Sequence, residues 1–281
     1  MRRNPVVAGT FYEGTREGLI ERLKWCFLHK LGPGKLPKLN VSGPRRLVGI
    51  ISPHAGYMYS GPIAAHGYSV LAEDGVVDIV VIIGPNHHGM GAPLAVYPRG
   101  VWVTPLGEVP VADDVVNKLV KHTGIIEKDT TAHLYEHSLE VQLPFLQYTL
   151  GEDFKIVPIT MLIQNYDTSV ALADALVHTL EGYNHIIIAS TDFTHYEPHE
   201  RAREKDMKAI ERIVNLDTKG LYDVIFEMDI SMCGYGPVMV LMEYSRKVGA
   251  RNVNFLKYAT SGDITKDYSS VVGYASLVMM E

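Results

Sequence analysis

Residues 48–61 read VGIISPHAGYMYSG, an apolar run that passes directly into a loop carrying His54. The same construction recurs at 79–89, IVVIIGPNHHG, which ends in His87 and His88, and at 185–195, HIIIASTDFTH, which ends in Asp192 and His195. Short runs of Val and Ile bounded by Gly, Pro, Ser and Asn are the pattern of strands buried on both faces. If such strands lie parallel in one sheet, their polar ends emerge on one edge, and in open α/β sheets that edge is where ligands bind. Distant segments would then bring imidazoles and a carboxylate into one crevice, the composition of a metal site or an acid/base centre.

The segments between these runs support the parallel arrangement. Leu47–Ser52 reads as a strand, Ser60–Ala72 as a helix starting near Pro62, and Asp78–Ile83 as the next strand. A right-handed crossover of this kind sets both strands in the same direction and puts His54 and His87 on the same edge. A second such step links the strand Lys155–Leu162, through a helix at Thr168–Leu180, to Ile186–Ser190. Leu19, Leu23, Phe27 and Leu31 recur every four residues and predict an amphipathic helix over Thr15–Leu31, behind an extended opening segment at Asn4–Gly14. Leu94–Tyr97 and Gly100–Thr104 suggest a hairpin turning at Pro98–Gly100, and Ala112–His122 a helix with Asp113 and Asp114 in its first turn. The polar stretch DTTAHLYEH at 129–137 is placed to reach back over the crevice, and Pro144 interrupts a short amphipathic stretch at 138–148. Helices at 198–215, 220–229 and 238–248 and strands at 253–259 and 271–279 complete the chain. The fold class expected is α/β, a central, mostly parallel sheet flanked by helices.

Composition narrows the function. With 281 residues, 47% hydrophobic and 21% charged, the chain has the makeup of a globular protein with a sizeable core, and nothing in it forces a division into domains. A net charge of -6 and only short basic pairs, Arg2 with Arg3 and Arg45 with Arg46, argue against a nucleic-acid partner. The N-terminus lacks an apolar signal core, and no window reaches the ~18 apolar residues of a membrane span. The two cysteines, Cys26 and Cys233, are too few for a disulfide framework and fit a reducing compartment, so a cytoplasmic protein is expected.

A single histidine at a strand end is ordinarily a polar residue satisfied by loop backbone. Repetition of that placement favours metal ligation, because neutral imidazole is the commonest metal ligand. Cys233, in the Gly-flanked turn SMCGYGP at 231–237, is either a small buried hydrophobe or a soft ligand completing the site.

PHAGY at 53–57 with YSG following, GPNHH at 84–88, EHSLEVQLPF at 136–145, STDFTHY at 190–196 and Cys233-Gly234 with Pro237 together resemble the Memo family, named for a mediator of receptor-driven cell motility. The resemblance extends from AGTFYEG at 8–14 to YATSGD and SSVVGYAS near the end, so it implies a single Memo-like domain over 1–281. It also implies a fold like that of the class III extradiol ring-cleaving dioxygenases, which hold non-haem iron(II) with two histidines and a glutamate. On this resemblance His54, His87 and Cys233 are the metal ligands, with Cys233 standing where the dioxygenase carboxylate would be. His195 takes the general acid/base position, Asp192 lies in the pocket, and His137 supports a ligand or contacts substrate; His88, His66 and Tyr57 are further candidates for the lining. Iron(II) is the expected cofactor and copper the alternative, since a thiolate favours softer or later metals.

Three functions follow as expectations. The first is a metal-binding protein with a redox-active or oxidase-type site taking a small molecule or peptide. The second, ascribed to a eukaryotic relative, is a non-catalytic module binding phosphotyrosine-like or carboxylate peptides in the same pocket. The third is a metal-free cysteine hydrolase with Cys233 as nucleophile, a histidine as base and Asp192 as orienter.

Overall fold

The 47–52 run forms a strand with every residue buried, and the strand following it in the sheet is the 185–190 run. The computed structural model describes residues 1–281. In chain order the strands are β1 (Arg2–Arg3), β2 (Leu47–Ser52), β3 (Ile79–Pro85), β4 (Leu94–Val96), β5 (Val101–Thr104), β6 (Gly107–Pro110), β7 (Glu127–Lys128), β8 (Lys155–Met161), β9 (His185–Ser190), β10 (His195–Glu197), β11 (Asn252–Thr260) and β12 (Val271–Met280). The helices are α1 (Arg16–Leu28), α2 (Tyr57–Asp74), α3 (Asp113–His122), α4 (Leu143–Leu150), α5 (Tyr166–Leu180), α6 (His199–Val214), α7 (Thr218–Glu227), α8 (Tyr235–Lys247) and α9 (Ser261–Thr265). None of them is long and apolar enough to cross a membrane.

The centre of the main sheet is β2-β9-β3-β8, all parallel. Strand β12 flanks β2 antiparallel and carries β11 and β10, while β4 runs antiparallel to β8 and carries β7. Helices α1, α2 and α4 cover one face, and α3, α5, α7 and α8 the other. A single cluster of 71 buried apolar residues runs from Tyr12 to Met279, so one α/β core serves the whole chain. The crossover from β2 to β3 leaves room for β9 between them. Ser190, Thr191 and Asp192 therefore emerge between the His54 and His87 loops.

Three local expectations are corrected. The strands at 94–97 and 101–104 do not pair: β4 joins the main sheet beside β8, whereas β5 pairs with β6 in a separate three-stranded sheet with β1. Pro98–Gly100 is a corner between sheets, because β4 finds its hydrogen bonds on β8. Helix α2 starts at Tyr57 and encloses Pro62, since the Tyr57 N–H is taken by Phe11 O at 2.8 Å and pins the first turn earlier. Pro144 opens α4 instead of interrupting it, the position where its missing N–H costs nothing.

The N-terminal segment is strapped down by one buried carboxylate. Glu140 Oε2 accepts from Arg3 Nη1 at 2.7 Å, and Glu140 Oε1 accepts from the Tyr12 hydroxyl at 2.7 Å and the Val7 N–H at 3.1 Å. Arg3 also donates to His133 O and Glu136 O and lies 4.0 Å over the Trp102 ring. This strap carries Phe11 onto His137, with ring centroids 4.8 Å apart.

His133 sits under the strap, fully buried, with Nδ1 2.9 Å from Asp129 O. Burial pushes its imidazole down to about 4, the Arg3 charge acting in the same direction against the bond to Asp129 O. Between that value and the ordinary value near 6.5 the unfolded chain binds the proton and the native one does not. Folding stability should therefore fall as pH drops from about 6.5 to 4, by up to about 3 kcal/mol from this residue. Denaturant midpoints measured at neutral and acid pH check this: His133→Gln should flatten the dependence, and an unchanged slope would refute it.

Candidate metal centre

His54 leaves the end of β2 and is fixed twice, by the last residue of β9 and by the loop that follows it. Its N–H donates to Asp192 Oδ1 at 2.8 Å, and its ring Nδ1 lies 2.9 Å from Ser190 Oγ. The Ser190 hydroxyl already donates to Ser138 O at 2.7 Å and accepts from Gln142 Nε2 at 2.8 Å. Its remaining lone pair can only receive a proton, so His54 carries hydrogen on Nδ1 and presents a bare Nε2. Burial, reinforced by His137 and His87, holds the His54 imidazole well below its ordinary value, so it stays neutral.

His87 is set by Glu136. The carboxylate accepts the His87 N–H at 2.7 Å, the ring Nδ1–H at 2.9 Å and the Ser138 N–H at 2.8 Å. Nδ1 is again the protonated nitrogen and Nε2 the bare one, the carboxylate–histidine arrangement that orients metal-binding imidazoles. Burial opposes the charged forms of both groups, but their mutual bond outweighs it: Glu136 stays well below the usual carboxylate range, and His87 is raised. The loop approaches β3 this closely because residue 84 is glycine; a Cβ there would strike Ser138 Oγ. With Glu136 replaced by Gln, metal affinity should fall about 10- to 100-fold, measured by competition with a chromophoric chelator, because the ring loses its orienting charge. Unchanged affinity would remove the role given to Glu136.

Cys233 enters from the turn before α8. Gly234 packs against Ser190 O and Thr191, where a side chain would collide, and this lets the turn close on β9. The thiol sulfur lies 3.2 Å from His54 Nε2 and receives the Asp192 N–H at 3.2 Å. Burial, with the Asp192 charge, pushes the thiol up. Ligand atoms of His54, His87 and Cys233 all lie within 4.8 Å of one another. Two imidazoles and one sulfur brought this close are the donor set that a soft or borderline transition metal takes.

The other predicted residues surround this point. Asp192 is buried, and burial chiefly pushes its carboxyl up to about 6. His195 is partly buried at the start of β10; its N–H donates to Ser231 Oγ at 2.7 Å and its Nδ1 to Ser231 O at 2.9 Å, which again leaves Nε2 free. His137 stacks on His87 with centroids 4.8 Å apart and stands edge-on to His54 at 5.5 Å, and burial first of all pushes it down to about 4. His66 is elsewhere, bonded to Leu31 O, and the Tyr57 hydroxyl is spent on Val141 O beneath the strap. His88 is on the exposed rim beside Tyr135. Of the hydrolase arrangement, Cys233 and His54 do meet at 3.2 Å, but Asp192 does not orient the ring: it bonds the His54 backbone, and the ring Nδ1 is committed to Ser190. The leading charged neighbours of His54, His87 and His137 are histidines and carboxylates, with no Lys or Arg of the kind that holds a phosphotyrosine.

Sequence reasoning missed Glu136, Ser190, Gln142 and Ser231. Glu136 had a signal, a carboxylate directly before His137; the others had none, since serines and glutamines are common and only their partners distinguish them. A cavity of about 650 Å³ lies at the opposite ends of the strands, between Arg45–Val48 and Tyr183–His185, and includes none of these residues.

The family model described as Memo-like protein matches residues 3–278. MEMO1 family protein MK0963 from Methanopyrus kandleri is 49% identical over 280 residues, 99% of each chain. MEMO1 family protein MTH_45 from Methanothermobacter thermautotrophicus is 49% identical over 279 residues, covering 99% of this chain and 100% of that one. The crystal structure of the uncharacterized protein JW3007 from Escherichia coli K12 superposes with a TM-score of 0.56 at 14% identity, over 84% of this chain and 100% of that one, a likeness of fold.

Proposed function

The chain belongs to the Memo family, and from that premise we propose that its crevice is a mononuclear metal centre held by His54, His87 and Cys233, with a redox or oxidase-type role. Iron(II) is the metal proposed and copper the alternative. The observation that carries this reading is the convergence of one ligand atom each from His54, His87 and Cys233 within 4.8 Å, both rings having Nδ1 tied to a fixed acceptor. The donor set fits such an ion: His54, held neutral by burial, need lose no proton to bind, whereas the His87 ring, raised against burial by Glu136, gives up its second proton wherever it is charged and the sulfur loses one.

When bound, the ion would supply a Lewis acid with open coordination positions and a one-electron couple. The protein's own part is positional and protonic. Glu136 and Ser190 hold the rings, and Asp192 anchors the His54 backbone. His195 has its tautomer fixed by Ser231 and its Nε2 left without a partner, the arrangement a proton carrier needs. Phe11 and His137 cover one side and limit water.

Metal analysis of protein purified without chelator tests the proposal. About one metal ion per chain is expected in the wild type and a large loss in His87→Ala. Equal metal in both would overturn it.

A further inference from the structure

A cleft of about 330 Å³ opens beside the centre, on the side of Asp192 and His195. Its walls include Tyr59 from the first turn of α2, Tyr196 from β10 and Tyr274 from β12, with Ser261, Asp267 and Ser270 at the mouth. Its distance from the centre is a residue or two along each wall. Tyr196 follows His195, whose partner across the sheet is Val272, and Phe193 N donates to Gly273 O next to Tyr274. Ala55 and Tyr59, just after His54, pack on the small cluster that holds Tyr274.

Two features are unusual for an ordinary surface crevice. Tyr196 has a φ of 60°, left-handed backbone that is costly for a bulky residue, and its side chain is left 79% exposed. Strain without compensating burial is characteristic of residues held for a ligand. The second feature is charge. No Lys or Arg lines the cleft; Lys266, between Thr265 and Asp267, turns its ammonium back to Asp263 O at 2.9 Å. Asp267 is engaged through Oδ1 alone, by Ser269.

Phenol rings and a carboxylate without a cation are the composition that binds organic ammonium groups, through the negative face of the ring and direct charge attraction. We infer that this cleft is a binding site for a small organic cation carrying a planar ring, held between Tyr59 and Tyr196 over the buried Tyr274 with its charged group toward Asp267. The same walls disfavour phosphorylated and other anionic molecules. The inference rests on the metal reading only for the bound molecule's being a substrate of the centre; binding stands by itself.

Titration with benzyltrimethylammonium, benzyl alcohol and benzyl phosphate, followed by calorimetry or protein NMR, tests it. The cation should bind about tenfold or more tighter than the phosphate, with the alcohol between. Tyr196→Gly should lose about tenfold in cation affinity while its melting temperature holds or rises, because glycine adopts the left-handed backbone freely. Equal or tighter binding of the phosphate, or full cation affinity in Tyr196→Gly, would overturn the inference. Selective cation binding by a wild type that holds no metal would sustain the cleft and overturn the metal centre, whereas a metal-loaded wild type without cation binding would overturn the cleft alone.

Discussion

Glu140→Ala should destabilise the protein by about 3–5 kcal/mol and free the first dozen residues from the body. The carboxylate is fully buried and is the ion-pair partner of Arg3, whose side chain is 4% exposed. Its removal leaves a guanidinium in the interior with two backbone carbonyls but no counter-charge, and it strips partners from the Val6 and Val7 N–H groups and the Tyr12 hydroxyl. Unpaired buried charge is among the costliest single changes, well above the roughly 1 kcal/mol of a surface pair. Denaturant unfolding gives the magnitude, and amide hydrogen exchange should show protection lost over residues 3–12 and at Tyr57, whose N–H is held by Phe11 O. A loss under about 1 kcal/mol would mean that the strap is not held by this pair. Because Phe11 rests on His137, the variant should also open one side of the centre.

Cys233→Asp should keep iron(II) and weaken copper(I) binding by roughly a hundredfold, since a thiolate suits the soft ion and a carboxylate the harder one. The substitution replaces the sulfur that stands 3.2 Å from His54 Nε2 by an oxygen ligand. It would leave two histidines and one carboxylate as the candidate ligands. Competition against copper(I) and iron(II) chelators measures both affinities, and Cys233→Ala should lose each. Copper(I) affinity untouched by either change would show that the sulfur is not a ligand. The Asp192 N–H, which points at the sulfur at 3.2 Å, would stabilise a thiolate once the ion displaces its proton.

The strand runs and the residues at their ends were legible from the chain alone, because a strand buried on both faces must be apolar throughout and its polar ends therefore stand out. That is why His54, the pair His87 and His88, and Asp192 stood out without coordinates, the choice of His87 within the pair resting on the family resemblance, and why the boundaries of β2 were read directly. Regions whose partners are remote in sequence were not legible. The pairing of β4 with β8 instead of β5 depends on which edge is free after the parallel strands assemble, and the 94–104 stretch carries no mark of it. The early start of α2 was likewise hidden, since it depends on a carbonyl of the N-terminal strap.

By itself the sequence determined the α/β class, the parallel direction of the central strands and the residue types brought to their edge, all of them consequences of local periodicity and of the handedness of crossovers. Only the tertiary structure decided that β9 lies between β2 and β3, that Glu136 and Ser190 fix the protons of the two rings, and that a thiol 179 residues from His54 reaches its bare nitrogen. The reason is physical: a tautomer and a ligand distance are set by which groups meet across the fold, and local sequence fixes neither.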